Sequence, residues 1–407
     1  MVQKKVCVIG LGYIGLPTAT FIANAGYKVS GIDINKRAVE IINQGSIHIV
    51  EPGLEVLVAK AVAAGNLVAF NQIQEADIYM ICVPTPFRDA ADSVEADMSY
   101  VFQAVDNIAG ILKPGDLIIL ESTSPVGTAD SIENYLVQKG FESDTFGVGY
   151  CPERVLPGRI IDEFIKNDRI IGGNSKATTQ VICDFYETFT ECAIHQTSAK
   201  TAEMCKLTEN SFRDVNIAFA NELSILCDLD GIDVWELIKL ANHHPRVNVL
   251  SPGTGVGGHC ISVDPWFIVA KHPSDARLIK TARQVNDAKP HWVIKNILSH
   301  AGSIEKSLGR SPTLAVYGLA FKPDIDDLRE SPALEVARFL NKSKFNIKAV
   351  EPNITELEGI ELVPFDWAIQ NADVHIVLVA HKDFTTKNNS DLLRMNNALD
   401  YCGCLSG

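Results

Sequence analysis

The chain has 407 residues, a formal net charge of −14, and 46% hydrophobic and 21% charged residues. This length exceeds one ordinary hydrophobic core and predicts two or three domains. The acidic balance argues against a nucleic-acid backbone as a partner, because no basic surplus exists to replace its counterions. The acidic net charge does not exclude small anionic ligands, since helix N-termini and a few Arg or Lys side chains bind them whatever the net charge.

Ten cysteines are scattered along the chain without a C-x-x-C pair, and the one close pair is Cys402-x-Cys404. This pattern is neither a zinc site nor a disulfide framework, so it favours a reducing cytoplasm and no metal ion. The uncharged stretch 6–27 has some features of an export signal. We favour a folded element there, because glycines, Pro17 and Asn24 interrupt the apolar run.

The first half of the chain alternates strand-like and helix-like patterns. Strands are predicted at Lys5–Ile9, Lys28–Asp33, Asp77–Val83, Leu117–Glu121 and Phe146–Tyr150, with helices beginning near Leu16, Lys36, Tyr100 and Thr128. This alternation predicts a parallel sheet with helices on both faces, an N-terminal Rossmann-like dinucleotide-binding domain over residues 1–197.

The remainder of the chain predicts two further domains. Helical patterns over Thr201–Gly231, Val234–Ala241 and Asp275–Ser299 predict a central helical domain at 198–300, suited to joining two subunits. Strands at Leu314–Gly318, Lys348–Glu351 and Val374–Ala380, with a helix at Pro332–Leu340, predict a C-terminal Rossmann-like α/β domain at 301–407.

Gly10, Gly12 and Gly15 form the G-x-G-x-x-G pattern between the first strand and the first helix. Asp33 ends the next strand, where a carboxylate accepts hydrogen bonds from an adenine ribose, so NAD is the predicted cofactor. The basic pair Lys36-Arg37 leaves the phosphorylated cofactor open.

Two hydroxyl residues follow other predicted strands at the same sheet edge. Thr85 lies in Val83-Pro-Thr-Pro86, and Thr123 in Glu121-Ser-Thr-Ser-Pro125. Ligands of such sheets lie at the carboxyl ends of the strands, so both residues are candidate cofactor contacts. Ordinary turn chemistry is the alternative.

A polar stripe runs along the long predicted helix. Glu203, Lys206, Asn210 and Arg213 share one face, and Asn221 lies two turns beyond Arg213. The stripe is either a solvated face or a hydrogen-bonding wall around a polar substrate.

The glycine-rich segment 253–264 presents Cys260, followed by Asp264. Glycines allow close approach to a ligand and remove packing partners, so a thiol here with ionisable groups in reach is a candidate nucleophile. A buried structural thiol is the alternative. His259 precedes the cysteine, but adjacency alone does not place its ring on the sulfur.

Two further segments suit an anionic ligand. His243-His244 lacks the ligand spacing of a metal site, so an anion-binding loop that uses Arg246 is favoured. Lys322 and Arg329 follow a strand of the last domain and suit a diphosphate; a solvated loop is the alternative.

With these segments the chain resembles the UDP-glucose/GDP-mannose dehydrogenase family, from residue 4 to about 390. The segments that carry the resemblance are YCPERVLPG (150–158), TAEMCKLTENSFR (201–213), HPRVN (244–248), GVGGHC (255–260) and GLAFKPDIDDLRESP (318–332). The resemblance implies a four-electron, NAD-dependent oxidation at C6 of a UDP-sugar, through a thiohemiacetal and a thioester on Cys260. It also implies a homodimer formed by the central helices, with Arg246 entering the neighbour's site.

The resemblance assigns roles to individual residues. Those implied in catalysis are Cys260, Lys206 and Asn210 at the oxyanion, Asp264 at the water, Glu153 as a base, and Thr123. Those implied in cofactor binding are Gly10, Gly12, Tyr13, Ile14, Gly15, Asp33, Arg37, Thr85, Thr123 and Arg329. Those implied in UDP-sugar binding are Arg154, Val155, Lys206, Asn210, Arg213, His244, Arg246, Gly257, Tyr317 and Lys322.

The substrate implied by His244-Pro-Arg246 and His259 is UDP-N-acetyl-D-mannosamine, feeding surface polysaccharide synthesis. UDP-glucose, UDP-N-acetylglucosamine and a galacto epimer remain open, as do a single-step hydroxyacid dehydrogenase and a nucleotide-sugar sensor without turnover. The chain departs from the family at its end: the family usually closes with a strand carrying an acidic residue and a Lys- or Arg-Gly turn, whereas this chain finishes Leu399-Asp-Tyr-Cys-Gly-Cys-Leu-Ser-Gly407. A terminal contact to the nucleotide is therefore expected to be altered.

Overall fold

The computed structural model describes residues 4–90, 93–156, 158–258 and 260–406. His259, whose role the sequence left undecided, lies outside the described residues. The chain divides into two compact units, Met1–Glu209 and Asn210–Gly407.

The first unit is built on an eight-stranded sheet. Its strands are β1 (Lys5–Ile9), β2 (Lys28–Ile32), β3 (Leu67–Phe70), β4 (Ile78–Ile81), β7 (Leu117–Leu120), β8 (Gly147–Tyr150), β9 (Arg169–Gly173) and β10 (Ile194–Ser198), with a separate hairpin of β5 (Phe87–Ala90) and β6 (Ser93–Ala96). Its helices are α1 (Gly15–Asn24), α2 (Lys36–Asn43), α3 (Leu54–Ala63), α4 (Ser99–Ala109), α5 (Thr128–Gln138), α6 (Ile160–Lys166) and α7 (Lys176–Tyr186).

The spatial order of the sheet is β10-β9-β8-β7-β4-β1-β2-β3. All its pairs are parallel except β8 with β9. The order reverses between β1 and β4, the topological switch point at which Rossmann folds bind ligands. Two apolar clusters cover the two faces, because these strands are apolar on both sides.

The second unit combines helices with a smaller parallel sheet. Helix α8 (Ala199–Asp230) spans the division between the units, and the unit continues with α9 (Val234–Ala241), α10 (Asp264–Lys271), α11 (Arg277–Leu308), α12 (Pro332–Asn341), α13 (Phe365–Asn371), α14 (Lys382–Thr385) and α15 (Lys387–Met395). Its strands are β11 (Thr313–Tyr317), β12 (Asn346–Val350), β13 (Glu361–Leu362), β14 (Val374–Val377) and β15 (Leu399–Asp400). They lie in the order β13-β12-β11-β14-β15, with apolar clusters on both faces.

Helix boundaries follow local chemistry. Ser198 opens α8 by accepting the N–H of Thr201 at 3.2 Å, and Gly231 ends it with a φ of 68°. Ser331, followed by Pro332 at the first helical position, caps α12 by accepting the N–H of Leu334. Ser198 and Ser331 therefore fix where α8 and α12 begin, and Gly231 fixes where α8 ends.

The predicted fold class is confirmed. A Rossmann-type sheet comes first, the described residues between β10 and β11 contain helices but no strand, and a second Rossmann-type sheet follows. Every strand predicted from the sequence is present within three residues at each end. Among the described residues no helix is both long and apolar enough to span a membrane.

Candidate active site and cofactor-binding edge

The glycine loop after β1 has the geometry of a dinucleotide site. Gly10 has a φ of 91°, and a Cβ on Gly15 would lie 1.7 Å from the carbonyl oxygen of Gly10. Gly12 is exposed, and a Cβ there would meet nothing within 4 Å. The first and third glycines therefore serve the turn and the helix packing, while the second borders open space for a diphosphate.

Asp33 lies at the end of β2 and holds this loop. Its Oδ2 accepts the N–H of Leu11 at 3.0 Å, and its Oδ1 accepts that of Asn35 at 2.8 Å. Arg37 is exposed in the first turn of α2, and Tyr13 is 37% exposed beside the loop. A carboxylate fixed here fits the hydroxyls of an unphosphorylated ribose.

The other predicted cofactor residues of this unit lie at the same edge. Ile14 is the N-cap residue of α1, and Thr85 and Thr123 are half-buried just beyond the ends of β4 and β7. Ser122, next to Thr123, donates to the carbonyl of Val83 at 2.7 Å and ties these two segments together. The structure therefore brings Thr85 and Thr123 to the switch-point edge.

Lys206 and Glu153 are in contact, but not through the carboxylate. Nζ of Lys206 donates to the backbone carbonyl of Glu153 at 2.8 Å. The Glu153 carboxylate instead pairs with Arg169 at 3.0 Å, and both side chains are 5% exposed or less. Burial opposes the charge on Arg169, but Glu153 and the other ionisable groups around it, among them Glu121, together raise the pKa of the guanidinium. In this structure Glu153 is the counter-ion of a buried arginine.

Arg154, a predicted substrate contact, also has protein partners. Its guanidinium pairs with Glu209 of α8 at 2.8 Å and donates to the carbonyl of Asp168 at 2.7 Å. Val155, next to it, is half-buried. Arg154 therefore fixes the segment 151–156 to α8 and to the loop before β9.

A second buried carboxylate, Glu121, lies at the end of β7. It accepts hydrogen bonds from the hydroxyls of Tyr186 at 2.5 Å and Thr18 at 3.1 Å, and from the thiol of Cys82 at 3.2 Å. Burial, with Glu153 as a second cause, raises the pKa of this carboxyl. Glu121 thus links α1, β4 and α7 beneath the cofactor edge.

Cys260 differs from the other cysteines in its exposure. Of the ten cysteines, all within the described residues, Cys260 alone is exposed. Burial raises the pKa of the thiols of Cys7 and Cys151 to about 12, which suppresses their thiolates. The backbone carbonyl of Cys260 accepts the N–H of Asp264 at 2.9 Å in the turn that opens α10.

Asp264 is 3% exposed and is held by α8. Nδ2 of Asn210 donates to its Oδ2 at 2.5 Å. Lys206 lies one helical turn before Asn210 on α8, and Arg213, three residues after it, is exposed. Asn210 of α8 therefore contacts Asp264, the last residue of the turn that begins at Cys260.

The glycine-rich loop packs tightly on the segment after β11. A Cβ on Gly257 would lie 2.4 Å from the carbonyl oxygen of Glu330, and one on Gly258 would lie 2.7 Å from the ring of Phe321. Lys322 is half-buried beside Phe321, and Arg329 is exposed and bound to Asp327 at 2.7 Å. The absence of side chains at both glycines permits this contact between the two loops.

Three residues considered from the sequence are buried in structural positions. Tyr317 is fully buried, and its hydroxyl lies 2.8 Å from Nδ1 of His375, so its side chain belongs to the core. Glu203 accepts the backbone N–H of Ala129 at 2.8 Å rather than lining an exposed wall. Asn221 is buried as well and does not extend an exposed stripe. Helical spacing alone did not distinguish a buried polar face from an exposed one.

The His244–Arg246 segment is exposed on the loop after α9. Nδ1 of His244 accepts the N–H of Arg246 at 3.3 Å, and Asn242 braces the loop through both backbone groups of Val249. Among the described residues no cluster of His, Cys, Asp or Glu has the arrangement of a metal site.

The end of the chain keeps the acidic residue on a strand. Oδ1 of Asp400, in β15, accepts the N–H groups of Cys402 at 3.0 Å and Gly403 at 2.9 Å, and its Oδ2 accepts that of Leu405 at 2.7 Å. Cys402 precedes Gly403, where the resemblance implies a Lys or Arg side chain. A strand, an acidic residue and a turn with a glycine are therefore present here.

Sequence reasoning missed two buried arginines, Arg169 and Arg283. Arg283 of α11 pairs with Asp214 of α8 at 2.5 Å, and both are 1% exposed or less. The available signal was polar residues at core positions of a helix, since Arg283, Asn286 and Lys289 precede Val293 at a spacing of three or four residues.

The first unit thus carries a Rossmann-type cofactor edge, and the second carries an exposed thiol beside an amide-bound carboxylate. These are the parts of a dinucleotide-dependent oxidoreductase that uses a cysteine. Sequence comparison matches residues 4–190 to the NAD binding domain, 200–288 to the central domain and 315–406 to the UDP binding domain of one family. The chain belongs to the UDP-glucose/GDP-mannose dehydrogenase family.

Individual relatives resemble the chain over nearly its full length. A UDP-N-acetyl-D-mannosamine dehydrogenase of Campylobacter jejuni is 52% identical, with 94% of this chain and 96% of the relative covered. An NDP-N-acetyl-D-galactosaminuronic acid dehydrogenase of Ralstonia nicotianae is 49% identical, covering 99% and 96%. Among solved structures, the UDP-D-ManNAc dehydrogenase of Pyrococcus horikoshii superposes with a TM-score of 0.86 at 35% identity, covering 98% and 96%.

Proposed function

We propose that this protein is an NAD-dependent dehydrogenase that oxidises UDP-N-acetyl-D-mannosamine at C6 to the uronate, in two steps at Cys260. The observation that carries the proposal is the exposed thiol of Cys260 in a turn that also fixes Asp264 against Asn210. The product would feed a surface polysaccharide. The ten cysteines without a disulfide, all within the described residues, support a reducing cytoplasm as its location.

The residues at the switch-point edge fit NAD. Gly12 leaves room for the diphosphate, Asp33 suits an unphosphorylated ribose, and Thr85 and Thr123 line the same edge. When bound, NAD⁺ accepts one hydride at each of the two oxidations. The segments around Gly257 and Lys322, with Arg213, His244 and Arg246, supply the cations and close backbone approach that a UDP-sugar requires.

Different residues of the chain carry out the separate steps of this reaction. The sulfur of Cys260 adds to the C6 aldehyde and gives a thiohemiacetal, whose oxidation leaves a thioester. Lys206 and Asn210 stabilise the negative charge that develops on the C6 oxygen. Asp264 orients the water that hydrolyses the thioester and regenerates the thiol. A single-step dehydrogenase has no use for this cysteine.

The test is the amount of NADH formed per sugar consumed, run to completion with UDP-N-acetylmannosamine, UDP-N-acetylglucosamine and UDP-glucose in parallel. Two NADH from the mannosamine sugar alone are expected. With Cys260→Ala, acid formation should disappear while NAD⁺ binding is kept. One NADH per sugar in the wild type would leave the thiol without a role and contradict the proposal.

A second candidate keeps the mechanism and changes the sugar to an N-acetyl-galacto epimer. It is favoured by the 49% identity to the Ralstonia nicotianae protein over 99% of this chain. Adding UDP-N-acetylgalactosamine to the same assay separates the two, because only the preferred epimer should yield two NADH.

We further propose that two copies of the chain pair through α8. Phe212, Phe219 and Leu226 are 70%, 58% and 50% exposed and recur every seven residues, with Leu229 at 74% one turn beyond. A heptad-spaced apolar stripe on a 32-residue helix is what one helix presents to another. A second copy is the occupant favoured here, because a symmetric pair buries the same stripe on both sides.

Changing Phe212→Glu tests this assembly. The variant should sediment as a monomer in analytical ultracentrifugation, because a carboxylate is costly in a buried apolar seam. Leu278→Glu is the matched control, since Leu278 is also 70% exposed but lies on α11 and not on α8. A wild-type protein that sediments as a monomer would contradict the proposal.

A further inference from the structure

The loop that carries Cys260 is held at both ends by one buried group of polar side chains. The group consists of Asp214 and Asn221 on α8 and Arg283 and Asn286 on α11, each 1% exposed or less. Burying four polar side chains is unfavourable unless their hydrogen bonds are made. None of the four belongs to the reaction proposed above, so their partners indicate what they do.

The start of the loop is held by Asn221. Its Oδ1 accepts the N–H of Gly253 at 2.8 Å, and its Nδ2 donates to Oδ1 of Asn286 at 2.9 Å. Asn286 in turn donates to the carboxylate of Asp214 at 2.8 Å and to its backbone carbonyl at 3.0 Å. The first residue of the loop is therefore tied to both long helices.

Arg283 contacts the other end of the loop, at Ile261. Its Nη1 donates to Asp214 at 2.5 Å and lies 3.5 Å from the carbonyl oxygen of Ile261, the residue after Cys260. Its Nη2 donates to Asp287, one turn further along α11. Burial raises the pKa of the Asp214 carboxyl to about 6, although Arg283 lowers it. The pair is thus costly to bury and better suited to fixing one conformation than to adding stability.

We propose that Arg283 is a positioning residue for Cys260, acting through the turn at Ile261, with Asn286 and Asn221 fixing the other end of the loop. The inference rests on the proposed thioester reaction. The loop between its two anchors is rich in glycine, which leaves the backbone many accessible conformations. Two of these glycines, Gly255 and Gly258, have positive φ values of 155° and 82°. The middle of the loop packs on Glu330 and Phe321, and a thiol in it meets an aldehyde productively when the two ends of the loop are held as well.

Arg283→Lys tests this role while keeping the positive charge. One ammonium cannot reach Asp214, Asp287 and the Ile261 carbonyl together as a guanidinium fork does. The expected result is a fall in kcat of about 10²-fold with KM for NAD⁺ unchanged, since misplacing a reacting group by about 1 Å has this effect. Asn221→Ala removes the acceptor of the Gly253 N–H and should also lower kcat. This variant replaces Arg283→Lys in the test if the lysine variant folds poorly.

A second readout does not depend on turnover. Iodoacetamide alkylation of Cys260 in the free protein, followed by mass spectrometry, should change several-fold in both variants, while Cys192 and Cys205 react as in the wild type. Lys289→Met is the matched control, because Lys289 is also buried on α11 but bonds Ser224 at 2.6 Å. It should keep the wild-type alkylation rate.

Two results would overturn the inference. One is wild-type kcat and alkylation in a folded Arg283→Lys or Asn221→Ala variant. The other is an equal loss in Lys289→Met, which would indicate general helix packing. If the wild type forms no acid from any UDP-sugar, the proposed function fails, but the alkylation rates still decide whether Arg283 positions the thiol.

Discussion

Lys206 donates a hydrogen bond to the backbone carbonyl of Glu153, while the carboxylate of the same residue is turned toward Arg169. The two residues are therefore coupled through the main chain and not as an acid–base pair. The side chain of Glu153 fixes the segment whose carbonyl orients Lys206. This arrangement favours a positioning role for Glu153 over the role of general base implied by family resemblance.

Glu153→Gln is expected to lower the free energy of unfolding by about 3–5 kcal/mol, because it removes the carboxylate that is paired with the buried Arg169. Combining it with Arg169→Met should restore much of that stability, measured by urea denaturation. Turnover separates the two roles. Recovery of kcat in the double variant supports positioning, whereas restored stability without turnover would identify Glu153 as the base.

Gly12→Ala and Gly15→Ala form a matched pair in the cofactor loop. A Cβ on Gly12 would enter open space where the diphosphate is expected, so the variant should fold normally and lose NAD⁺ affinity in calorimetric titration. A Cβ on Gly15 would lie 1.7 Å from a backbone oxygen, so that variant should be unstable without cofactor. Equal NAD⁺ affinity in Gly12→Ala and the wild type would place the cofactor elsewhere.

The parts of this molecule that follow local rules were predictable from the sequence. The glycine loop, Asp33 and the strands flanking them depend on short spacings, and Cys260 stood out because glycines surround it. Arg169 and Arg283 were missed because their partners lie 16 and 69 residues away along the chain. The burial of the Tyr317 side chain was not predictable for a related reason: a strand-end residue faces either the ligand or the core, and pattern alone does not distinguish them.

Asn210→Leu should reduce turnover more than it reduces stability. The change removes the amide that donates to Asp264 and leaves helix α8 otherwise intact. Loss of one preorganised donor in an acyl-transfer site lowers kcat about 10²–10³-fold. Asn216→Ala is the control, since Nδ2 of Asn216 bonds the carbonyl of Phe212 in the same helix. Stopped-flow measurement of the second NADH should show the defect, and equal rates in the two variants would exclude a catalytic role for Asn210.

Lys289 makes the stability of this protein depend on pH. Burial lowers the pKa of its ammonium from 10.5 to about 8, although Asp228 opposes the shift. Below about pH 8 the folded and unfolded states both carry the charge, and the folded state bears the cost of burying it. As the pH rises from 8 to 10.5 the folded state binds fewer protons than the unfolded state, so this cost is progressively removed.

Lys289→Met should therefore be more stable than the wild type at pH 7, by at most about 3 kcal/mol, the value that corresponds to this shift. The gain is reduced by the lost hydrogen bond to Ser224 and by the lost contact with the ring of Trp292, 4.1 Å from Nζ. Because the cost of burying the charge decreases as the pH rises, the difference in unfolding free energy between the two proteins should become smaller toward pH 10.5. Urea denaturation of both proteins at several pH values measures it, and a difference that stays constant from pH 7 to 10.5 would show that Lys289 is not the titrating group.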